Sequence, residues 1–150
     1  MLLRLITAQM ELGDPQAQKN LALMKERIEV WQIRKENAHM REQATYALLA
    51  NQVDSALKLA QDNWQQQRET ADIVLYASAA IKAGSQADIK LIRQFMTDTQ
   101  FEYPALEQAL RSGKISDCLN CQVATTQTSN TQAKSMQTVN TQGMNKEKLL

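Results

Sequence analysis

Three short turns at nearly constant spacing constrain the fold of this chain more than any other feature. Helical patterns are interrupted at Gly13, Asn51 and Gly84, which lie 38 and 33 residues apart. Periods of this size are typical of stacked helical hairpins, because a single hairpin cannot bury its own apolar face and packs against the next. The spacing therefore predicts an all-α solenoid of about three antiparallel helical hairpins.

The apolar periodicity predicts seven helices around these turns. They cover about residues 2–12, 15–35, 39–50, 54–66, 70–83, 86–98 and 102–111. The fifth helix is apolar nearly all round, which indicates that it is buried on most sides. In the sixth helix, Leu91, Ile92 and Phe95 are expected to share the buried face. Four Gly and two Pro in 150 residues argue against an all-β fold, which needs many specialised turns.

The helix ends carry recognisable start and stop signals. Gly13 and Gly84 suit the left-handed position that ends a helix, since glycine has no Cβ to clash there. Asp14, Asp54 and Ser85 each stand where a side chain can cap the next helix. These signals predict short, tight connections between neighbouring helices.

The C-terminal part of the chain has a different composition. Thr, Gln, Asn and Ser fill 16 of the 24 positions from 122 to 145, and Asn-Thr-Gln occurs twice. Such a segment offers too little apolar surface to offset the entropy lost on ordering it. We expect a helical domain over residues 1–111 and a disordered tail over residues 112–150.

Charge argues against a nucleic-acid partner. Residues 1–111 hold 13 Lys and Arg against 14 Asp and Glu, and residues 112–150 hold 4 against 2. Neither part has the basic excess that phosphate backbones attract. No stretch approaches the roughly 18 uncharged apolar residues of a membrane span. We expect a cytoplasmic protein if the chain is complete, and a periplasmic or membrane-associated one if it belongs to a longer exported protein.

The helix pairs resemble tetratricopeptide repeats. That family has small residues where the two helices of a hairpin touch, a Gly-type turn, and an Ala five residues beyond the turn. Asn51 is followed by Ala56 at that distance, and Ala44 and Ala77 are small at the contact position. The first turn is one residue shorter, and the third has Ile89 in place of Ala. The stretch from 39 to 72 also resembles the C-terminal repeats of bacterial tetratricopeptide proteins.

The resemblance implies a concave groove that holds a partner peptide. In that family the first helix of each hairpin lines the groove. Placing Ala44 and Ala77 at the small contact position directs five side chains toward it: Arg41, Thr45, Leu48, Val74 and Ser78. The Lys and Asn pair with which some members clamp a C-terminal carboxylate is not evident at these positions.

A pair of cysteines is the most chemically suggestive spacing in the chain. Cys118 and Cys121 are separated by two residues, which suits a redox disulfide or half of a zinc site. A redox motif normally opens a helix after a strand, and a structural zinc needs four ligands, whereas the single histidine, His39, is remote in sequence. Incidental thiols are the simplest interpretation, with a metal site shared between chains and a redox pair as alternatives.

Five other side chains invite a functional interpretation, and each also has a plainer structural one. His39 stands just before a helix, as a cap or a surface residue. Trp31 and Trp64 fall on apolar faces, where core packing is favoured over a peptide-binding anchor. Arg68 and Asp72 are four residues apart and could pair across one helical turn.

The sequence favours a non-enzymatic protein-interaction module that binds a partner peptide or helix. No glycine-rich phosphate loop, no histidine-containing metal spacing and no activated nucleophile is evident, so we expect neither an enzyme nor a bound cofactor. One alternative is a redox or metal-binding role through Cys118 and Cys121. Another is the C-terminal capping part of a longer repeat protein, whose exposed first helix would make the isolated chain self-associate.

Overall fold

The computed structural model describes residues 2–34 and 39–114, and these residues form seven α-helices and no β-strand. The predicted all-α class is confirmed. The helices are α1 Leu2–Glu11, α2 Gln16–Ile33, α3 Met40–Leu49, α4 Val53–Gln66, α5 Thr70–Ala83, α6 Gln86–Thr99 and α7 Pro104–Ser112. The predicted boundaries agree to within about two residues, and those of α5 agree at both ends. The predicted tail lies almost wholly outside the described residues.

Left-handed residues close the three turns at Gly13, Asn51 and Gly84. Gly13 and Gly84 have φ +67° and +66°, and the Gly84 N–H bonds to the last turn of α5. Asn51 takes the same conformation with φ +60° between α3 and α4. Asparagine tolerates this region better than most other non-glycine residues, because its short polar side chain bonds locally. The three turns therefore share one backbone conformation.

Of the three predicted caps, Ser85 is correct and Asp54 is wrong, and Asp14 lies one residue before the N-cap position, Pro15, while still binding the first turn of α2. The Ser85 Oγ accepts a hydrogen bond from the Asp88 N–H, and an Asp14 carboxylate oxygen accepts one from the Gln16 N–H at 2.8 Å. Asp54 does not cap α4, because that helix begins one residue earlier at Val53 and places Asp54 inside its first turn.

Most helices pack against their sequence neighbours, and the odd-numbered helices also pack against one another. The pairs α1–α2, α3–α4, α4–α5 and α5–α6 are in contact, and so are α1–α3, α3–α5 and α5–α7. Two side chains bind carbonyl oxygens at helix ends: Lys82 Nζ donates to Leu48 O at 2.9 Å, and Arg93 Nη2 donates to Leu110 O at 2.7 Å. Both carbonyls lie in the last turn of a helix, where an acceptor has no partner in a following turn; the Leu48 carbonyl also accepts the Asn51 N–H at 3.3 Å.

The core consists of two clusters of unequal size. The larger runs through α3 to α7, and the smaller joins Ile6, Met24 and Ile28 of the first hairpin to Tyr46 of α3. Every residue of α5 from Asp72 to Ala80 is buried, which confirms the prediction for that helix.

The expected buried face of α6 was wrong at one position. Leu91 is 52% exposed, whereas Ile89, Ile92 and Met96 are buried. Steps of three and four residues bring these three side chains to one face, and a step of one residue turns a side chain by about 100°.

Candidate functional site

A buried carboxylate joins three helices at the centre of the chain. Asp72, in the first turn of α5, is 1% exposed. Its Oδ1 accepts hydrogen bonds from Arg41 Nε of α3 at 2.6 Å and from Asn63 Nδ2 of α4 at 2.7 Å. Its Oδ2 accepts from Arg41 Nη2 at 2.8 Å and from the Glu69 N–H at 3.0 Å. Both oxygens are therefore satisfied, and the bidentate arginine fixes α3 against α5.

Glu69 completes this cluster from the helix end. Its carboxylate accepts from Arg41 Nη2 at 2.7 Å, and Glu69 and Asp72 form a reciprocal capping box at the start of α5. Two carboxylates thus face one guanidinium that is 32% exposed. We call Arg41, Asn63, Glu69 and Asp72 the Arg41–Asp72 cluster.

The cluster keeps Asp72 ionised although it is buried. Burial raises the pKa of the Asp72 carboxyl, but hydrogen bonds from Arg41, the Glu69 backbone and Asn63 outweigh burial, so its pKa lies below the ordinary value of 3.8. The hydrogen bond to Asp72 likewise raises the pKa of Arg41 above its already high ordinary value. The pair is a fixed ion pair at neutral pH and not a proton donor or acceptor.

Acidification should therefore remove stability from this chain. Because the folded pKa of Asp72 lies below its unfolded value near 4, the carboxylate contributes stability that is complete above that value and is lost as pH falls through the folded pKa. We expect the midpoint of urea unfolding to fall steeply below about pH 4. For Asp72→Asn, the urea midpoint at neutral pH should be lower than in the unmodified chain, and it should fall less steeply as the pH is lowered. The prediction is contradicted if the urea midpoint falls with pH at the same rate in both proteins.

A second carboxylate, that of the partly buried Asp88, lies in the first turn of α6. It accepts hydrogen bonds from the Tyr76 hydroxyl, from Gln61 Nε2 at 2.9 Å and from Ser85 Oγ at 2.5 Å. Burial raises the Asp88 pKa, but the bonds from Ser85, Tyr76 and Gln61 outweigh burial and leave the pKa lowered. Burial and the bond to Asp88 raise the pKa of Tyr76. Like the Arg41–Asp72 cluster, this group joins helices through satisfied hydrogen bonds.

The five predicted groove residues differ in accessibility. Arg41 and Thr45 are partly exposed, and the Thr45 hydroxyl donates to the Arg41 carbonyl at 2.7 Å. Leu48, Val74 and Ser78 are 4%, 5% and 0% exposed. Arg41 is held by the cluster through its Nε and Nη2 atoms. A role for the five residues in holding a partner stays a prediction, and the accessible part of that surface is Thr45 with the edge of Arg41.

The other candidate residues have structural surroundings. Trp64 is buried in the larger core, and Trp31 is half-buried and stacks on the His39 ring with centroids 4.1 Å apart. His39 occupies the N-cap position of α3, and its side chain makes no capping hydrogen bond there.

The expected pair between Arg68 and Asp72 was wrong. Asp72 binds Arg41, and the Arg68 guanidinium lies over the Trp64 ring, 5.7 Å from its centroid. Cys118 and Cys121 lie outside the described residues.

Sequence reasoning missed the Arg41–Asp72 cluster, although two signals pointed to it. Asp72 is an acidic residue within an almost wholly apolar helix, and Glu69 stands three residues before it, as in a capping box. A buried acid in such a helix requires a partner. The partner itself, 31 residues away, could not be named from local spacing.

No family model, curated protein or solved structure matches this chain. Among the residues that the structure describes, no group of three or more histidine, cysteine or acidic side chains is placed to hold a metal ion. Within the same ranges, no helix combines the length and the apolar character that crossing a membrane requires.

Proposed function

We propose that this chain is a non-enzymatic protein-interaction module whose odd-numbered helices line a groove for a partner peptide or helix. The observation that carries the proposal is the row of contacts α1–α3, α3–α5 and α5–α7. Stacked hairpins of the tetratricopeptide type produce such a row, because the first helix of each hairpin packs on the first helix of the next. The same helices would then form a continuous inner wall.

Small residues at the helix contacts support this arrangement. Ala44 of α3 and Ala77 of α5 are both fully buried, and Ala56 and Ala60 of α4 are buried to 1% exposure or less. Alanine at such positions lets helix axes approach closely, and a close approach repeated along the chain gives a regular stack. The proposed solenoid of about three hairpins rests on these contacts together with the three turns of common conformation.

The electrostatics of the inner wall favour a neutral ligand surface. The charge of Arg41 is balanced by Asp72 and Glu69, so it offers no free cation to a partner carboxylate. Thr45, partly exposed one turn further along α3, presents a small polar side chain. We expect an extended or helical peptide bound through packing and polar contacts, in keeping with helix-lined recognition grooves.

A peptide selection with a matched pair of variants tests the proposal. Random peptides displayed on phage would be selected on the full chain, and the affinity of an enriched peptide would be measured by titration calorimetry. Thr45→Glu should weaken binding by about tenfold or more, a change of about 1.4 kcal/mol. Thr97→Glu is the control, because Thr97 of α6 makes the same hydroxyl bond to the carbonyl four residues earlier.

Two results would contradict the proposal. Either selection yields no peptide that binds the full chain, or Thr45→Glu and Thr97→Glu bind the selected peptide equally well. Arg41 is unsuitable for this test, because its replacement would disturb the Arg41–Asp72 cluster and hence the fold.

A further inference from the structure

The first hairpin, formed by α1 and α2, has a small hydrophobic cluster of its own. Ile6, Met24 and Ile28 form it, and their side chains are 0%, 3% and 6% exposed. Tyr46 is the buried side chain that α3 contributes to this cluster, and Leu49 lies partly buried beside it. The other buried apolar residues of α3 belong to the larger cluster. The hairpin therefore joins the rest of the core through a small apolar contact on α3.

Much of the apolar surface of the first hairpin takes no part in packing. Of the six large hydrophobic side chains that are exposed at described positions, five lie on α1, α2 or the turn between them: Leu5, Leu12, Leu23, Val30 and Ile33. Burial of apolar surface is the main favourable contribution to folding. The first hairpin thus gains less from folding than its apolar content would allow.

Hydrogen bonds between side chains and across helices link α3 to α7. The Arg41–Asp72 cluster joins α3, α4 and α5, and the hydrogen bonds to Asp88 join α4, α5 and α6. Lys82 reaches from α5 to a carbonyl at the end of α3, and Arg93 reaches from α6 to a carbonyl at the end of α7. These five helices are therefore held by hydrogen bonds as well as by apolar contacts.

The side-chain hydrogen bonds of the first hairpin stay within it. Asn20 Nδ2 of α2 donates to Gln9 Oε1 of α1 at 2.8 Å, and Gln9 Nε2 donates to an Asp14 carboxylate oxygen at 3.3 Å. Between described residues, no side-chain hydrogen bond crosses from α1 or α2 to α3. The Trp31 ring of α2 stacks on the partly exposed His39 ring at the start of α3. Packing alone thus holds these helices against α3.

We infer that the first hairpin unfolds as a separate cooperative unit while α3 to α7 stay folded. Segments with few buried apolar contacts and few bonds to the rest of a protein open first. A hairpin detached from α3 loses the cover of its small core, so α1 and α2 lose their helices together and do not swing away intact. Opening uncovers Tyr46 and takes α1 out of the wall of the proposed groove, but the inference needs no bound peptide.

The other end of the helical stack is held more firmly. Leu106, Ala109 and Leu110 of α7 are 0%, 0% and 5% exposed and belong to the larger cluster. Arg93 also binds the Leu110 carbonyl at 2.7 Å. The end units of a stack have one neighbour instead of two, so opening is expected at an end. These contacts assign it to the first hairpin and not to α7.

Native-state hydrogen exchange of the full chain tests the inference, with single amides followed by nuclear magnetic resonance at increasing urea concentrations. The amides of Met24 and Ala77 stand well inside α2 and α5. The Met24 amide should be at least about 100-fold less protected than the Ala77 amide. Its protection should also fall less steeply with urea, because unfolding the hairpin exposes less surface than unfolding the whole chain.

A matched pair of isoleucine variants shows whether the two parts open separately. Ile6 is 0% exposed in the smaller cluster, and Ile92 is 1% exposed in the larger one. Ile92→Val should lower the protection of the Ala77 amide by about two- to tenfold and leave that of Met24 unchanged, because α6 stays folded when the hairpin opens. Ile6→Val should lower the protection of both amides by the same factor, because the hairpin is unfolded in both kinds of opening.

Three results would overturn the inference. The first is equal protection, with equal urea dependence, of the Met24 and Ala77 amides. The second is an Ile92→Val variant in which the protection of both amides falls by the same factor, since the chain would then unfold as one unit. The third is weaker protection of the α7 amides than of the α2 amides. Circular dichroism of both conservative variants should match that of the unmodified chain.

Discussion

Asp72→Ala is expected to lower the free energy of unfolding by about 3–5 kcal/mol, the range for breaking a buried ion pair by removing one partner. The change leaves the Arg41 guanidinium facing a void and removes the acceptor of Asn63 Nδ2 and of the Glu69 N–H. It also destroys the capping box at the start of α5. One substitution thus removes the side-chain hydrogen bonds that join α3 and α4 to the start of α5.

Urea unfolding followed by circular dichroism measures this loss. Asp54→Ala is the matched control, since Asp54 also lies in the first turn of a helix but is exposed and has no partner in the Arg41–Asp72 cluster. Its replacement should change stability by about 0.5 kcal/mol or less. Equal effects of the two substitutions would show that the cluster adds nothing beyond a carboxylate at a helix start.

The cluster illustrates what spacing along one helix cannot predict. Arg68 was expected to pair with Asp72 because residues four apart in a helix are neighbours. Arg68 precedes the first turn of α5, however, and its guanidinium lies over the Trp64 ring. The true partner, Arg41, comes from α3 and depends on how α3 and α5 pack, which the sequence does not encode locally.

Local chemistry predicted the helix ends and the burial of α5. Gly84 ends α5 because a left-handed residue closes the last turn, and Ser85 caps α6 because its hydroxyl accepts the Asp88 N–H. Both effects depend on residues within one helical turn of each other, so they can be predicted from the local sequence alone. The burial of α5 follows in the same way from its lack of a polar face.

Accessibility of the groove residues could not be predicted in this way. Register places Leu48, Val74 and Ser78 on particular helix faces, but exposure depends on which other helices cover those faces. The Ser78 hydroxyl is fully buried and donates to the Val74 carbonyl, so it is satisfied within its own helix. A face that looks available in a single helix is closed when both neighbours pack on it.

Trp64→Ala is expected to cost about 3–5 kcal/mol of stability, as for other large aromatic residues removed from a core. The side chain is 7% exposed, and its ring meets Phe95 edge-on at 4.8 Å between centroids and Tyr76 at 6.4 Å. Its removal leaves a cavity between α4, α5 and α6 and strips the Arg68 guanidinium of its ring contact. Thermal and urea unfolding of the variant measure the loss.

Trp31→Ala distinguishes the contributions of the two tryptophans to stability, because Trp64 belongs to the larger hydrophobic core and Trp31 packs against the smaller one. Trp31 is half-buried against the smaller core and stacks on His39, so its loss should cost about 1–2 kcal/mol, less than the removal of a fully buried ring. Fluorescence assigns the signals: the chain lacking Trp64 should emit at longer wavelength than the chain lacking Trp31. If Trp31→Ala is the more damaging change, the first hairpin and not the α3–α7 cluster is the part on which stability chiefly depends.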